Sequence, residues 1–448
     1  MVTKLLSRVS LWRHPLAGTT AMSLGLKVAS AGTTFALFAL LPRILSIHDY
    51  GAFAFDFSVV SFLGIVATIG FHRSVLRSIP DLRTGGRSDV LVRCLAIGNE
   101  FLVGAGLLVT AALLLTAFGL GWLNSPLIIA ATLIFPIAYS EFLAAALRAF
   151  GFLSWALAPK DVAWRGGGAA VGAVMLITHR QATLVDVFTF LSLWLFLLVT
   201  VQTVLMFRTA RAAAAREGPT SGGEILSRRS LLVVSVPMWL ATVLFNASQH
   251  IDVVVVGSFL PLATVGVYFA AARTANLLSF VVFAIDMVAS PLMAQAHSSR
   301  DRAALQRVLV MSSSLLLVPT LLGFLAIVIF GREILGVFGA DFVSGGPLLI
   351  AMSGTFLIAA TCGPVESFMQ MSGLEREYLY LVAGTYATGL VVMICLLPLV
   401  GLWGAFAGHF MSVAVRNLLA VVYARRRIGV DPSILNLFRR NLARRGAA

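Results

Sequence analysis

Long apolar stretches recur along this chain at intervals of about 25–35 residues, and each is close to the ~20 residues that a helix needs to cross a bilayer. Apolar residues make up 59% of the 448 residues and charged residues only 12%, whereas a soluble domain carries about 25% charged residues. The strands of a membrane β-barrel would be shorter and would alternate polar and apolar residues. The pattern therefore indicates a bundle of membrane-spanning helices.

The expected fold class is an all-α polytopic membrane bundle with about twelve transmembrane helices. The predicted spans lie at about 20–42, 50–71, 90–118, 125–147, 157–177, 184–207, 231–258, 265–292, 308–330, 347–371, 377–398 and 402–424. Before them, residues 1–19 intersperse apolar side chains with cations and predict a short helix on the cytoplasmic face of the membrane. After them, residues 425–448 are a basic tail, which we expect to be cytoplasmic.

The positive charge follows the predicted topology. A net charge of +14 could indicate a nucleic-acid-binding protein, but cytoplasmic connections of membrane proteins are also rich in Lys and Arg. Of the 33 Lys and Arg residues, only Arg43, Arg180 and Arg332 fall in connections predicted to be outside. The distribution predicts an inner-membrane protein with both termini in the cytoplasm and no nucleic-acid partner.

The longest connection suggests that the chain has two halves. Residues 208–230 are rich in Ala, Gly and Arg, and they follow the sixth predicted span. They predict a cytoplasmic linker between an N-terminal lobe at 20–207 and a C-terminal lobe at 231–424. A weak internal repeat aligns Asp49–Phe55 with Thr264–Ala270, each with a Gly and aromatics where a helix begins. Parallel repeats predict two six-helix lobes with a substrate path between them.

Three parts of the chain resemble the polysaccharide-type flippases of the MOP superfamily, which translocate O-antigen and exopolysaccharide units. They are Pro42–Phe53, Gln249–Gly257 followed by Val265–Arg273, and Leu397–Ala405. The resemblance implies a MATE-like bundle that flips an undecaprenyl-diphosphate-linked oligosaccharide from the cytoplasmic to the periplasmic leaflet by alternating access. It also implies contact with membrane lipids and with glycan-assembly proteins such as a glycan polymerase.

Cations inside the predicted spans are the candidate substrate-binding residues. A charge at a helix centre costs roughly 2.5–3.5 kcal/mol, so it needs a partner, water or a function. Lys27 continues a polar stripe on the first span, together with Ser23, Ser30 and Thr34. Such a stripe predicts a helix face that lines a hydrated cavity, where Lys27 could bind a diphosphate. Alternatively, Lys27 extends to the cytoplasmic surface or pairs with a carboxylate.

Two arginines extend this hypothesis. Arg273 lies in the outer half of the eighth span and could contact the substrate or form a structural pair with Asp252 or Asp56. Arg165 could be a third cation of the cavity. It also lies four residues after Asp161, which is the spacing of an ion pair on one helix face.

Acidic residues within the spans are candidates for ion coupling or charge balance. Asp56 and Asp252 could each bind a proton or a sodium ion, but we favour neutralisation of Arg273. Asp286, near the inner end of the eighth span, could face a cytoplasmic gate or pair with Arg300 or Arg302. Glu141 and Glu366 lie at similar places in the two halves, and we expect them to anchor helix ends near basic residues.

Other motifs indicate no cofactor and no metal. The cysteines are Cys94, Cys362 and Cys395; each falls in an apolar span, and their odd number argues against a disulfide framework or a metal site. The run Gly166–Gly168, with Gly172, lies within a span and predicts close helix packing rather than a phosphate-binding loop. No Walker-type motif occurs, so we expect no ATP hydrolysis by this chain.

Two other functions compete with the flippase. An ion-coupled exporter of drugs or small molecules could share the fold, but acids rather than cations should then dominate its cavity. A membrane enzyme would need a sizeable extramembrane loop or a His, Asp and Glu cluster, and the outer connections are too short for a catalytic domain. We therefore expect a transporter and not an enzyme.

Overall fold

The computed structural model describes residues 16–84, 88–217, 228–299 and 301–434, and every regular element among them is helical. The α-helices up to the middle of the chain are α1 (Leu16–Ile44), α2 (Ile47–Val66), α3 (Phe71–Thr84), α4 (Ser88–Gly119), α5 (Ser125–Ala131), α6 (Ile134–Ala149), α7 (Leu153–Leu157), α8 (Trp164–Ile177) and α9 (Leu184–Glu217). The remaining ones are α10 (Arg228–Phe259), α11 (Leu262–Ala275), α12 (Ser279–Ser298), α13 (Arg302–Gly336), α14 (Gly346–Thr361), α15 (Val365–Met371), α16 (Glu375–Val400), α17 (Leu402–Phe410) and α18 (Arg416–Ile428). Short segments of other helix types connect some of them: π segments at Ala158–Ala163 and Met411–Val415, and 3₁₀ turns at Asn276–Leu278 and Ala340–Gly345.

The predicted all-α membrane bundle is confirmed. Among the residues that the structure describes, ten helical segments are long and apolar enough to cross a membrane, and an eleventh is added if the bent pair Met238–Leu244 and Gln249–Phe259 forms one span. This number is close to the twelve predicted spans. The predicted span at 157–177 is a continuous run of α7, a π segment and α8. This run, which includes the charged residues Lys160, Asp161 and Arg165, is not among the ten.

Two compact units divide the chain. One comprises the residues up to Leu45 and Asp56–Ile251, and the other comprises Ser46–Phe55 and the residues from Asp252 onwards. The predicted linker lies partly inside helices, because α9 continues to Glu217 and α10 begins at Arg228. Residues 218–227 between them, and the predicted interfacial segment before Leu16, lie outside the described residues. The six-helix lobes therefore remain a prediction.

The two turns of the internal repeat pack directly against each other within the second unit. A Cβ atom on Gly51 would lie 1.7 Å from the carbonyl oxygen of Leu262, and one on Gly266 would lie 3.3 Å from the Gly51 nitrogen. The fully buried Tyr50 ring packs edge-on to Phe342, with ring centroids 5.4 Å apart. The aligned glycines thus allow two helix starts to approach at backbone distance.

The beginning of the basic tail is ordered against a break between two helices. α14 ends at Thr361 and α15 begins at Val365, and the Ile434 amide donates a 3.0 Å hydrogen bond to the Thr361 carbonyl oxygen. The Ser313 hydroxyl donates to the carbonyl oxygen of Pro432 over 2.7 Å. This part of the tail therefore satisfies the Thr361 carbonyl oxygen, which the helix break leaves without an intrahelical partner. The tail beyond Ile434 lies outside the described residues.

Candidate functional site

The site is built on close packing of α1 against α8, which the glycines of α8 allow. A Cβ atom on Gly168 would lie 2.9 Å from a methyl carbon of Leu37 on α1. One on Gly167 would lie 2.3 Å from the indole nitrogen of Trp194 on α9. That nitrogen donates a 2.9 Å hydrogen bond to the carbonyl oxygen of Ala163. The close helix packing predicted from the glycine run is confirmed, and it holds the end of the π segment between α1 and α9.

This packing brings Lys27 of α1 to the charged residues that precede α8. Lys27 Nζ lies 3.4 Å from Asp161 Oδ2, although the two residues are 134 positions apart in the chain. Of the predicted polar stripe, Ser30 is buried and its carbonyl oxygen accepts a 2.6 Å hydrogen bond from the Thr34 hydroxyl. Lys27 thus adopts one of its two expected alternatives, pairing with a carboxylate, and its side chain stays one-third exposed.

Arg165 contacts the same carboxylate. Its Nη1 lies 3.9 Å from Asp161 Oδ1, which confirms the ion pair expected from their spacing. Its guanidinium carbon also lies 5.8 Å from the centroid of the Trp164 ring, within the range of a cation–π interaction. The Arg165 Nε atom is buried and has no hydrogen-bond partner among the described residues. Two of the three predicted substrate-binding cations, Lys27 and Arg165, therefore lie at the same site, beside the Asp161 carboxylate.

Lys160, near the start of the predicted span at 157–177, also belongs to this site. It forms an ion pair with Glu141 of α6, and its Nζ lies 3.7 Å from Asp161 Oδ1. Lys160 and Asp161 lie in the π segment, a rare conformation that often marks functional sites. The density of charge at Lys160, Asp161 and Arg165 within one predicted span was the sequence signal for this role.

We call Lys27, Glu141, Lys160, Asp161 and Arg165 the five-charge cluster. Three cations and two carboxylates give its side chains a net charge of +1. The Asp161 side chain is 10% exposed, whereas those of Lys27 and Arg165 are 33% and 27% exposed. The cations thus reach an accessible surface with a carboxylate beneath them, an arrangement that can bind an anion.

Replacing Lys160 by methionine should destabilise the protein. The change leaves Glu141 without its nearest cation, and about 1–3 kcal/mol is expected, below the range for fully buried pairs because a third of the Glu141 side chain is exposed. Thermal unfolding of purified protein in detergent measures the effect. Adding Glu141→Gln should restore much of the lost stability, and a double variant no more stable than Lys160→Met would contradict the pairing.

Arg273, the third predicted cation, lies in the second unit. Its guanidinium carbon is 4.8 Å from the centroid of the Phe269 ring, and it interacts electrostatically with Asp252. Asp252 Oδ2 accepts a 2.9 Å hydrogen bond from the hydroxyl of the fully buried Tyr268. The positions of these side chains agree with charge balance between Arg273 and Asp252.

The other predicted acids have different surroundings. Asp56 is buried, and it makes no ion pair or hydrogen bond within the described residues. Asp286 lies beside Ser367 and Glu366, and its buried Oδ1 atom has no hydrogen-bond partner in the described part of the chain. The expected pairing of Asp286 with Arg302 is not formed, and Arg300 lies outside the described residues.

Across residues 16–434, apart from the three undescribed gaps, no three His, Cys, Asp or Glu residues lie together as metal ligands would.

Two protein-family models match this chain. A family model described as "Polysaccharide biosynthesis protein" matches residues 16–297, which include the whole five-charge cluster. A second model, described as "MatE", matches residues 237–407. A search of curated proteins finds no significant match.

Solved structures share the fold over nearly the whole chain. A multidrug resistance MATE family transporter of the MOP superfamily, in an inward-facing conformation, aligns with a TM-score of 0.70 at 15% identity over 91% of this chain and 98% of that chain. The lipid II flippase MurJ, in an inward closed conformation, aligns with a TM-score of 0.62 at 14% identity over 90% and 87%. A MOP superfamily transporter from Pyrococcus furiosus, whose binding pocket is described as reversed in polarity, aligns with a TM-score of 0.55 at 15% identity over 92% and 93%. Identities this low show the fold alone.

Proposed function

We propose that this chain, a MOP superfamily transporter that belongs to the family of polysaccharide biosynthesis proteins, flips an undecaprenyl-diphosphate-linked oligosaccharide across the membrane. The substrate would be an O-antigen or exopolysaccharide repeat unit, moved from the cytoplasmic to the periplasmic leaflet by alternating access. The protein itself performs no bond chemistry, since its family and its structural relatives are transporters and flippases.

The five-charge cluster carries this proposal. Cations are costly within membrane-spanning segments, and such residues usually mark the path of a substrate or an ion. A net positive cluster that reaches an accessible surface favours an anionic ligand, and a diphosphate is a compact anion with several acceptor oxygens. Arg165 can bind two phosphate oxygens with its planar guanidinium, while Lys27 acts as a point charge. The sugars would remain in water and the polyprenyl tail in the bilayer.

The membrane and the partners follow from the same proposal. Such a substrate is assembled on the cytoplasmic leaflet, so the protein would reside in the inner membrane beside glycan-assembly proteins such as a polymerase. Cytoplasmic termini would place nearly all connecting Lys and Arg residues in the cytoplasm, as topology requires.

The driving force would act through acids of the membrane-spanning part. We assign this role to Asp286 and Asp56, which make no ion pair within the described residues. Asp252 is better suited to charge balance, because it accepts a hydrogen bond from the Tyr268 hydroxyl and interacts with Arg273.

An ion-coupled exporter of drugs or small molecules is the alternative function, and the MatE match is its support. The cation excess of the five-charge cluster argues against cationic drugs as substrates.

Depletion of the protein in its own cells tests the function. We expect lipid-linked glycan to accumulate on the cytoplasmic leaflet, while synthesis of the lipid-linked unit continues. Protection of that glycan from a periplasmic glycosidase measures its leaflet, and re-expression of the protein should reverse the protection. Unchanged access of the glycosidase after depletion would contradict the proposal.

A further inference from the structure

Three cations of the five-charge cluster converge on a single carboxylate, that of Asp161. Its oxygens lie 3.4 Å from Lys27 Nζ, 3.7 Å from Lys160 Nζ and 3.9 Å from Arg165 Nη1. Charge-assisted hydrogen bonds between such groups are about 2.7–2.9 Å long. All three contacts are longer, so Asp161 balances the cations without holding any of them tightly.

The difference in exposure between Asp161 and its cations determines the side from which an anion can reach them. Asp161 lies beneath, with a side chain 10% exposed, and Lys27 and Arg165 are the more exposed pair. An anion arriving from the exposed side would contact Lys27 and Arg165 while the carboxylate stayed within a few ångströms of both. Two anions at one pair of cations repel each other, so the arriving anion must compete with Asp161.

We propose that Asp161 is the internal counter-anion of the headgroup site: a substrate phosphate displaces it from Lys27 and Arg165, and it returns to them when the substrate leaves. This inference rests on the proposed function. A diphosphate carries more charge and more acceptor oxygens than one carboxylate, so it can win the competition. Because the Asp161 carboxylate can pair with Lys27 and Arg165 again, it promotes release of the bound anion. Without such a carboxylate, the same cations would retain the anion. Transport requires binding weak enough for exit, and Asp161 sets that limit.

Binding of farnesyl diphosphate to the purified full-length protein tests the counter-anion. This probe is a short, soluble polyprenyl diphosphate, and farnesol is its uncharged match. We expect Asp161→Asn to bind farnesyl diphosphate about tenfold or more tightly than the unaltered protein, because a competing negative charge within about 4 Å is removed. Cells that carry this variant should transport more slowly despite the tighter binding. Asp186→Asn is the charge-matched control, since Asp186 bonds Thr183 at the exposed start of α9.

A second pair of variants covers the case in which Asp161→Asn does not fold. Lys27→Gln with Asp161→Asn removes one charge of each sign, and it should bind the probe more tightly than Lys27→Gln alone by a similar factor. Equal or weaker binding after loss of Asp161, in a protein that prefers farnesyl diphosphate to farnesol, would overturn the counter-anion and leave the proposed function standing. No preference for the diphosphate in the unaltered protein would overturn both.

Discussion

Transport falls at least about a hundredfold when Lys27 and Arg165 are both replaced by alanine, because each charge-assisted hydrogen bond to the substrate contributes roughly 1.5–3 kcal/mol. The change also reverses the charge of the five-charge cluster, from +1 to −1. A diphosphate would then meet a net negative site. Complementation of a deletion strain, with membrane levels measured in parallel, gives the result.

Folding of this double variant should be close to normal. Lys160 still pairs with Glu141 and lies near Asp161, so neither carboxylate loses every cation. The matched control replaces Arg180 and Arg211, two exposed arginines, by alanine and should complement fully. Lys27→Arg should retain part of the activity, because the charge is kept while the geometry changes. Wild-type complementation by the Lys27 and Arg165 double variant would refute a headgroup site at this cluster.

Replacing Gly51 by alanine should prevent accumulation of folded protein. The new Cβ atom would lie 1.7 Å from the Leu262 carbonyl oxygen, and that oxygen belongs to backbone that cannot move aside as a flexible side chain does. The helix starts must separate, and their neighbour Tyr50 is fully buried against Phe342. We expect a loss of at least about 3 kcal/mol, at the upper end for overpacked interiors.

Gly104→Ala is the control for this prediction. A Cβ atom on Gly104, within α4, would have nothing within 4 Å, so the change should leave stability equal or slightly higher. Membrane levels of a fluorescent fusion and the melting temperature in detergent report both variants. A Gly51→Ala protein that melts with the control would show that the two turns do not pack as the structure has them.

The sequence predicted those features that depend on local periodicity. Apolar stretches of helical length located the membrane helices, and a spacing of four residues predicted the Asp161–Arg165 pair. The glycines of α8 predicted close packing because a residue without a side chain lets any neighbouring helix approach closely. The approach of Lys27 to Asp161 could not be found in this way, since tertiary packing alone joins residues 134 positions apart.

Lys160 shows a second limit of sequence reasoning. A lysine next to a proline, near the expected end of a span, is typical of a cytoplasmic connection. The π segment Ala158–Ala163 instead continues the helix of the fifth span and directs Lys160 towards Glu141. Such a change of helix type has little signature in periodicity, because it concerns a single turn. The acid at position 141 was expected near basic residues, and its partner is this lysine.

Flipping by the purified protein in vesicles tests the central claim most directly. Proteoliposomes are made with the lipid-linked oligosaccharide in both leaflets, an external glycosidase removes the accessible glycan, and the remaining fraction is followed with time. The account predicts that the unaltered protein makes nearly all glycan accessible, whereas vesicles with the Lys27 and Arg165 double variant keep about half protected. Protection that persists equally with the unaltered protein and in protein-free vesicles, under an imposed ion gradient as well as without one, would contradict it.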